Sequence, residues 1–204
     1  MKNVIICEGF NDGLFITQLF KKLGFKEDEV KIFDQKDVTL RKKKDDESLV
    51  LRNFESKSIY NPKKFLIKLE GGKDSATKIL CRELIYCLEK MDDLILLLDA
   101  DHTDVVKKAN IILDKIKTSY YISTPLRLNE EVKKRNEHLY HSVVQVNLIK
   151  NEVDIGKFKI VLFSKSLEHS CNIKKGHTEE EKKELISSFI EKEKIAEFFS
   201  EIIR

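Results

Sequence analysis

The longest apolar run of the sequence is Leu94-Ile95-Leu96-Leu97-Leu98, and it ends in Asp99-Ala100-Asp101. Its length is typical of a β-strand and far below the roughly 20 residues that cross a bilayer. Because no polar residue interrupts the run, we predict a strand buried on both faces of a parallel sheet. Two carboxylates therefore follow directly on a buried strand.

Similar patterns precede and follow this run. Apolar segments at residues 4–7, 30–33 and 65–69 predict strands, and residues 120–123 predict another. Helical stripes of apolar residues lie between them, with Asn11 or Asp12 as the cap of one helix and Asp74 or Ser75 as the cap of another. Strands that alternate with helices indicate an α/β fold with a mainly parallel sheet flanked by helices.

Two regions depart from this alternation. Residues 34–64 are polar and charged, and we predict an insertion there, either a β-hairpin or a mobile loop. After Pro125, residues 129–138 are charged and loop-like or helical, residues 142–146 and 159–163 predict strands, and Thr178 caps a final helix. We therefore expect a core domain at residues 1–125 and a C-terminal β/α extension at 126–204, packed on the same core.

The C-terminal helix carries a dense apolar stripe. Its spacing favours docking on the sheet, and a homodimer interface through this helix is the alternative. The stripe consists of Ile195, Phe198, Phe199, Ile202 and Ile203.

The composition excludes several classes of protein. The 204 residues are 41% hydrophobic and 36% charged, with a net charge of +3, which suits a globular domain and gives no overall argument for nucleic-acid binding. The apolar start meets Glu8 too early for a signal peptide, so we expect a soluble, cytoplasmic protein without a membrane partner. The four cysteines lack CxxC spacing, which disfavours a structural zinc site of the cysteine type.

Three features follow strands that should end at one edge of the sheet. Glu8 follows the first strand, Gly71-Gly72 follows the strand at 65–69, and Asp99 and Asp101 follow the central run. Ligands of open parallel sheets bind outside the carboxyl ends of the strands. Asp99 and Asp101, as residues i and i+2, leave an extended chain on one side and suit a hard cation such as Mg²⁺, with Glu8 as a third ligand or proton acceptor.

The glycines suggest a second element of this site. Gly71 and Gly72 allow a close approach of the backbone to a ligand, and Lys73 suits a phosphate oxygen. Each motif alone also has a structural interpretation as a turn. Asp-x-Asp after a strand occurs in receiver domains and in phosphatases of the aspartyl-phosphate type as well, so that class stays open.

The combination resembles the Toprim domain of topoisomerases, bacterial primases, recombination proteins and OLD-type nucleases. The resemblance rests on Glu8-Gly9 with Asp12, on Leu69-Glu70-Gly71-Gly72-Lys73, and on Asp99-Ala100-Asp101, and it covers roughly residues 2–125. The second motif is most similar to small stand-alone and OLD-like members, which also carry a Leu-Glu pair after a later strand. Leu167-Glu168 matches that pair.

The resemblance implies Mg²⁺- or Mn²⁺-dependent phosphoryl transfer on DNA or RNA. By this match Glu8 is an acid/base group or metal ligand, Asp99 and Asp101 are the metal-binding pair, and Asp12 and Glu168 are additional ligands of the nuclease branch. The insertion at 34–64 departs from the family pattern, and His102 stands where a glycine is often found. A metal-dependent nuclease is the expected function, and a non-catalytic metal- and nucleic-acid-binding module is the alternative.

A basic segment lies inside the insertion. Arg41, Lys42, Lys43 and Lys44 are consecutive, and Phe54 and Tyr60 follow. Basic groups with nearby aromatic rings are typical of loops that bind nucleic-acid backbones and stack bases. Because Asp45-Asp46-Glu47 follows at once, a solvated charged segment is the alternative.

Overall fold

The protein is an α/β structure built on one mixed, mostly parallel sheet. In the computed structural model, residues 2–35, 43–56, 63–120 and 124–203 are described. Within these ranges the strands are β1 (Asn3–Cys7), β2 (Val30–Asp34), β3 (Phe65–Leu69), β4 (Asp93–Asp99), β5 (Leu126–Arg135), β6 (Leu139–Leu148) and β7 (Asp154–Phe163).

Helices cover both faces of this sheet. They are α1 (Phe10–Lys22), α2 (Lys43–Ser56), α3 (Lys73–Lys90), α4 (Val105–Tyr120), α5 (Leu167–Ser170), α6 (Glu179–Lys192) and α7 (Ile195–Ser200), with a 3₁₀ turn at Glu27–Glu29. Among the described residues, no helix combines the length and apolarity needed to cross a membrane.

The sheet has the strand order β2-β3-β1-β4-β7-β6-β5. The strands from β2 to β7 in this order are parallel, whereas β6 and β5 are antiparallel to their neighbours. The parallel strands are level with each other, because Cys7 pairs with both Leu69 and Leu97. The chain segments that follow β1, β3 and β4 therefore leave the sheet at the same edge.

The central strands divide the core into two layers. Alternate residues of a strand point to opposite faces, so Ile6 and Leu96 face the layer formed with α2, α3 and α4, while Cys7 and Leu97 face the layer formed with α1, α5, α6 and α7. Both sides are apolar, which explains the uninterrupted hydrophobic runs of β1 and β4.

The region at 34–64 differs from the prediction. A helix, α2, occupies residues 43–56, where a β-hairpin or mobile loop was predicted, and the residues on either side of it at 36–42 and 57–62 lie outside the described part of the chain. Leu51 and Phe54 are buried, and their spacing of three residues places them on one face of the helix. The many charges in the segment hid this short apolar stripe.

The prediction for residues 129–138 was also wrong. Residues up to Arg135 continue β5, which pairs with β6 as an edge strand. Only Leu126 and Leu128 of this strand are fully buried, and the rest of it carries the charges expected of a protected sheet edge. Tyr120 ends α4 and does not begin a strand, and residues 121–123 lie outside the described ranges.

The C-terminal prediction is confirmed in its main point. Thr178 caps α6, and its hydroxyl accepts a hydrogen bond from the Glu181 N–H at 3.2 Å. The apolar stripe docks on the sheet, where Phe15 packs against Phe163 and Phe199 with ring centroids 5.2 and 5.6 Å apart. This packing buries the stripe within the chain, which removes the apolar surface on which the homodimer alternative rested.

The docking of α2 can be tested by truncating one buried and one exposed apolar side chain of this helix. We expect Phe54→Ala to lower the free energy of unfolding by about 3–5 kcal/mol, because a fully buried aromatic ring is lost. Leu49→Ala is the matched control, since Leu49 lies on the same helix and is half-exposed, and it should cost less than about 0.5 kcal/mol. Urea denaturation measures both variants, and equal small losses would contradict the packing described.

Candidate functional site

The carboxyl edge of the sheet brings together acidic residues from three distant parts of the sequence. Glu8 follows β1, Asp99 ends β4, and Glu168 follows β7 in α5. They share one open cleft of about 520 Å³. The lining residues are Glu8, Gly9, Phe10, Asn11, Asp12, Lys73, Asp99, Asp101, Ser166, Glu168 and Lys182.

Asp99 is the most buried carboxylate at the end of a strand. It is 8% exposed, and its Oδ1 accepts a hydrogen bond from the Leu167 N–H at 3.0 Å. Burial raises the pKa of Asp99 to about 7; the charge of Glu168 acts in the same direction, and the Leu167 N–H opposes it. A bound cation would favour the ionised form of this carboxyl, because it would offset the desolvation cost.

Asp12 is placed by the first turn of α1. The helix is capped by Gly9, so the predicted cap at Asn11 or Asp12 is wrong. Asp12 is the third helical residue, and its Oδ2 accepts a hydrogen bond from the Gly9 N–H at 2.9 Å. Burial, followed by the charge of Asp99, raises the pKa of Asp12 well above its ordinary value.

Asp101 reaches the cleft in a different way from the one predicted. Strand β4 ends at Asp99, and Asp101 has a left-handed backbone with φ = 52°. Asp99 and Asp101 are therefore not two positions of one extended strand, although both line the cleft. A hydrogen bond from the Asp101 N–H to the Lys165 carbonyl, 3.1 Å long, holds this turn against the chain that follows β7.

Lys73 is a cation in direct contact with two of these carboxylates. It is the first residue of α3, whose cap is Gly72 and not the predicted Asp74 or Ser75. Its Nζ lies 3.6 Å from Oε2 of Glu8 and forms an ion pair with Asp101. Burial alone would lower the pKa of Lys73, but the neighbouring carboxylates outweigh it and raise that pKa.

The glycine turn before α3 orients this lysine. Gly71 has φ = 72°, a left-handed conformation that favours glycine, and neither Gly71 nor Gly72 is among the residues that line the cleft. Glu70 precedes them and is fully buried in an ion pair with Lys68, with Nζ and Oε1 2.7 Å apart. The turn therefore serves to position Lys73, and phosphate binding by the two glycines stays a prediction.

Glu8 stands at the centre of the cluster in a half-buried position. Burial raises its pKa, the ammonium group of Lys73 opposes this, and the charges of Asp101 and Glu168 add to it. Each of these carboxylates thus makes ionisation of the others more costly. Carboxylates with raised pKa values in a cleft are candidates for proton transfer or cation binding.

Glu168 enters the cleft on the short helix α5, as the match to a Leu-Glu pair predicted. Its Oε1 accepts a hydrogen bond from Nδ2 of Asn11 at 2.8 Å. The sequence did not reveal the roles of Phe10, Asn11, Ser166 and Lys182. Asn11 carried a signal that was interpreted as a helix cap, whereas nothing in the sequence connects Lys182 of α6 with β1.

Other predicted site residues lie elsewhere. Arg41 and Lys42 are outside the described residues, and for Lys43 and Lys44 only the helical backbone is described. Nucleic-acid binding by this segment stays a prediction. His102 and His169 are exposed and do not line the cleft.

The donor set of the cleft suits a hard cation. All its anionic groups are carboxylates, and Asn11 adds an amide. Within the described ranges, no three carboxylate oxygens of the cleft lie within 4.8 Å of one another. A cation in the cleft would therefore contact only one or two of these carboxylates directly and keep several waters, as Mg²⁺ does in many proteins.

Comparisons with known proteins add no assignment: protein-family models, curated proteins and solved structures contain no match to this chain.

The raised pKa of Asp99 predicts how stability depends on pH in metal-free buffer. The folded-state pKa of about 7 lies above the unfolded value of about 4. The folded state therefore binds the proton more tightly, and stability falls as pH rises from about 4 to 7. Asp99→Asn should remove this contribution and stabilise the protein by about 1–3 kcal/mol at pH 8.

Urea denaturation at pH 5 and pH 8 in EDTA measures this effect, with Asp114→Asn as an exposed control. The control should change stability by less than about 0.5 kcal/mol at both pH values. A loss of stability in Asp99→Asn at pH 8 would show that the carboxylate is satisfied without a cation.

Proposed function

We propose that this chain is a Toprim-like, Mg²⁺- or Mn²⁺-dependent nuclease that hydrolyses phosphodiester bonds of DNA or RNA. The observation that carries the proposal is the meeting of Glu8, Asp12, Asp99 and Glu168 in one cleft. These positions match the Toprim motifs in order, although they are far apart in the sequence.

The charge of the cleft favours a cation-dependent reaction on an anionic substrate. A cleft lined by five carboxylates repels a nucleic-acid backbone unless cations compensate. Lys73 and Lys182 supply two positive charges, and a divalent cation supplies more. Because a bound cation would reduce the repulsion between the cleft and the phosphates, metal and substrate would bind cooperatively.

Asp99, Asp12 and Glu168 are the candidate ligands of the cation, and one or two of them would contact it directly while water bridges it to the rest. When bound, Mg²⁺ would polarise the phosphodiester and lower the pKa of a coordinated water. Glu8 is then free to accept a proton from the attacking water or to return one to the leaving oxygen. Burial raises the pKa of Glu8 above its ordinary value, which makes this carboxyl a better proton acceptor than an exposed one.

Lys73 and Phe10 suit the substrate. Once a cation binds the carboxylates, the ammonium group of Lys73 can exchange its contacts with Glu8 and Asp101 for a phosphate oxygen. Phe10 lines the cleft with its ring 43% exposed. It offers a surface on which a nucleobase can stack.

The proposal predicts that Glu8→Gln retains the fold and lowers cleavage at least ~100-fold, because the general acid/base is lost. Single-turnover cleavage of labelled single- and double-stranded DNA and RNA, with Mg²⁺ and with Mn²⁺, measures the rate. Glu27→Gln is the control, since Glu27 is an exposed residue in an ion pair with Lys21 away from the cleft.

If Glu8→Gln cleaves at the wild-type rate, Glu8 is not the general acid/base and the proposed mechanism is wrong. If the wild type binds oligonucleotides in a metal-dependent way and cleaves none of them, the non-catalytic binding module becomes the correct description. Phosphate incorporated at Asp99 from a small phosphodonor would instead indicate the receiver or phosphatase class.

A further inference from the structure

A second group of possible metal ligands lies away from the cleft. Glu137 and His138 belong to the turn between β5 and β6, and Glu193 caps the end of α6. Nε2 of His138 lies 3.2 Å from Oε1 of Glu137 and 3.3 Å from Oε2 of Glu193. The three ligand atoms all lie within 4.8 Å of one another.

His138 is held through its backbone and through a contact of its ring. Its backbone N–H donates to Oδ1 of Asn136 at 2.9 Å, and its carbonyl accepts from the Ser164 N–H at 2.7 Å. The ring packs edge-on against Phe189, with centroids 5.3 Å apart and planes at 89°. A ligand fixed in this way loses little conformational entropy when it binds an ion.

The environment of Nε2 distinguishes this group from a surface ion pair. The atom is shielded from solvent, and no acceptor among the described residues stands in hydrogen-bond geometry to it. An imidazolium N–H would point at one acceptor in the plane of the ring. Here two carboxylates face the nitrogen at nearly equal distances, and neither is aligned with that bond.

The two distances from Nε2, 3.2 and 3.3 Å, are close to those between ligands of a tetrahedral zinc ion, and the two carboxylate oxygens lie within 4.8 Å of each other. Zn–N and Zn–O bonds of about 2.0–2.2 Å place neighbouring ligand atoms about 3.3–3.6 Å apart. We propose that Glu137, His138 and Glu193 bind Zn²⁺, with water in the fourth position. The imidazole ligand favours zinc or a similar transition ion over Mg²⁺, which the all-oxygen cleft prefers.

Binding here would join two parts of the fold. The β5–β6 turn carries two ligands, and Glu193 precedes Lys194, whose left-handed backbone separates α6 from α7. An ion bound only by the folded state stabilises it in proportion to the logarithm of ion concentration. The site therefore fixes the α6–α7 junction on the antiparallel end of the sheet, and it does not depend on the function proposed for the cleft.

The test is calorimetric titration of EDTA-treated protein with ZnCl₂ in a large excess of Mg²⁺, which occupies the cleft. The wild type and His177→Gln should bind one Zn²⁺, because His177 lies outside the group. His138→Gln and Glu193→Gln should each weaken binding at least ~10-fold. Zinc should also raise the melting temperature of the wild type and shift the ring-proton NMR signals of His138.

Absence of zinc binding by the wild type would overturn the proposal, as would unchanged affinity in folded His138→Gln. If His138→Gln does not fold, the exposed, isosteric change Glu193→Gln decides the question. A zinc-induced shift confined to the other histidines would equally contradict the assignment.

Discussion

The register of the parallel strands is the constraint on which the cleft depends. Cys7 is level with Leu97, and Asp99 is level with Phe163, so the chain leaves β1, β4 and β7 close together. A shift of β4 by one residue would move Asp99 to the other face of the sheet and exchange the side chains that pack in the two core layers. Burial on both faces thus fixes the positions of the charged groups that follow these strands.

This register concentrates negative charge at a place where solvation is poor. Asp12 and Asp99 are nearly inaccessible to solvent, and Glu8 is half-buried beside them. Lys73 compensates part of this charge, and hydrogen bonds from the Gly9 and Leu167 backbone N–H groups stabilise two of the carboxylates. Buried carboxylates with raised pKa values cost stability, and such a cost is typical of functional sites.

Sequence reasoning succeeded where burial leaves a simple pattern. The apolar runs of β1, β3 and β4 predicted their strands and the edge at which Glu8 and Asp99 meet. It failed for α2 and β5, because their outward faces are charged and each buries only a short apolar stripe. In both cases tertiary packing, which local composition does not record, decided the structure.

Contacts between segments that are distant in the sequence were the second feature that the sequence did not predict. Lys182 joins the cleft because α6 packs across α1, and Glu193 joins His138 because α6 ends beside the β5–β6 turn. The sequence placed Asp101 in the site on the assumption of an extended chain, whereas a left-handed turn brings it there. Motif order predicted the members of the cluster better than it predicted their geometry.

The central claim is that the sheet-edge carboxylates form a divalent-cation site, and Mn²⁺ binding followed by electron paramagnetic resonance tests it most directly. The account predicts bound Mn²⁺ that Mg²⁺ displaces, and a loss of affinity of at least ~10-fold in folded Asp99→Asn. The claim would be contradicted if Asp99→Asn bound Mn²⁺ with unchanged affinity at a site from which Mg²⁺ displaces it. It would also be contradicted if the wild type bound no Mn²⁺ that Mg²⁺ displaces.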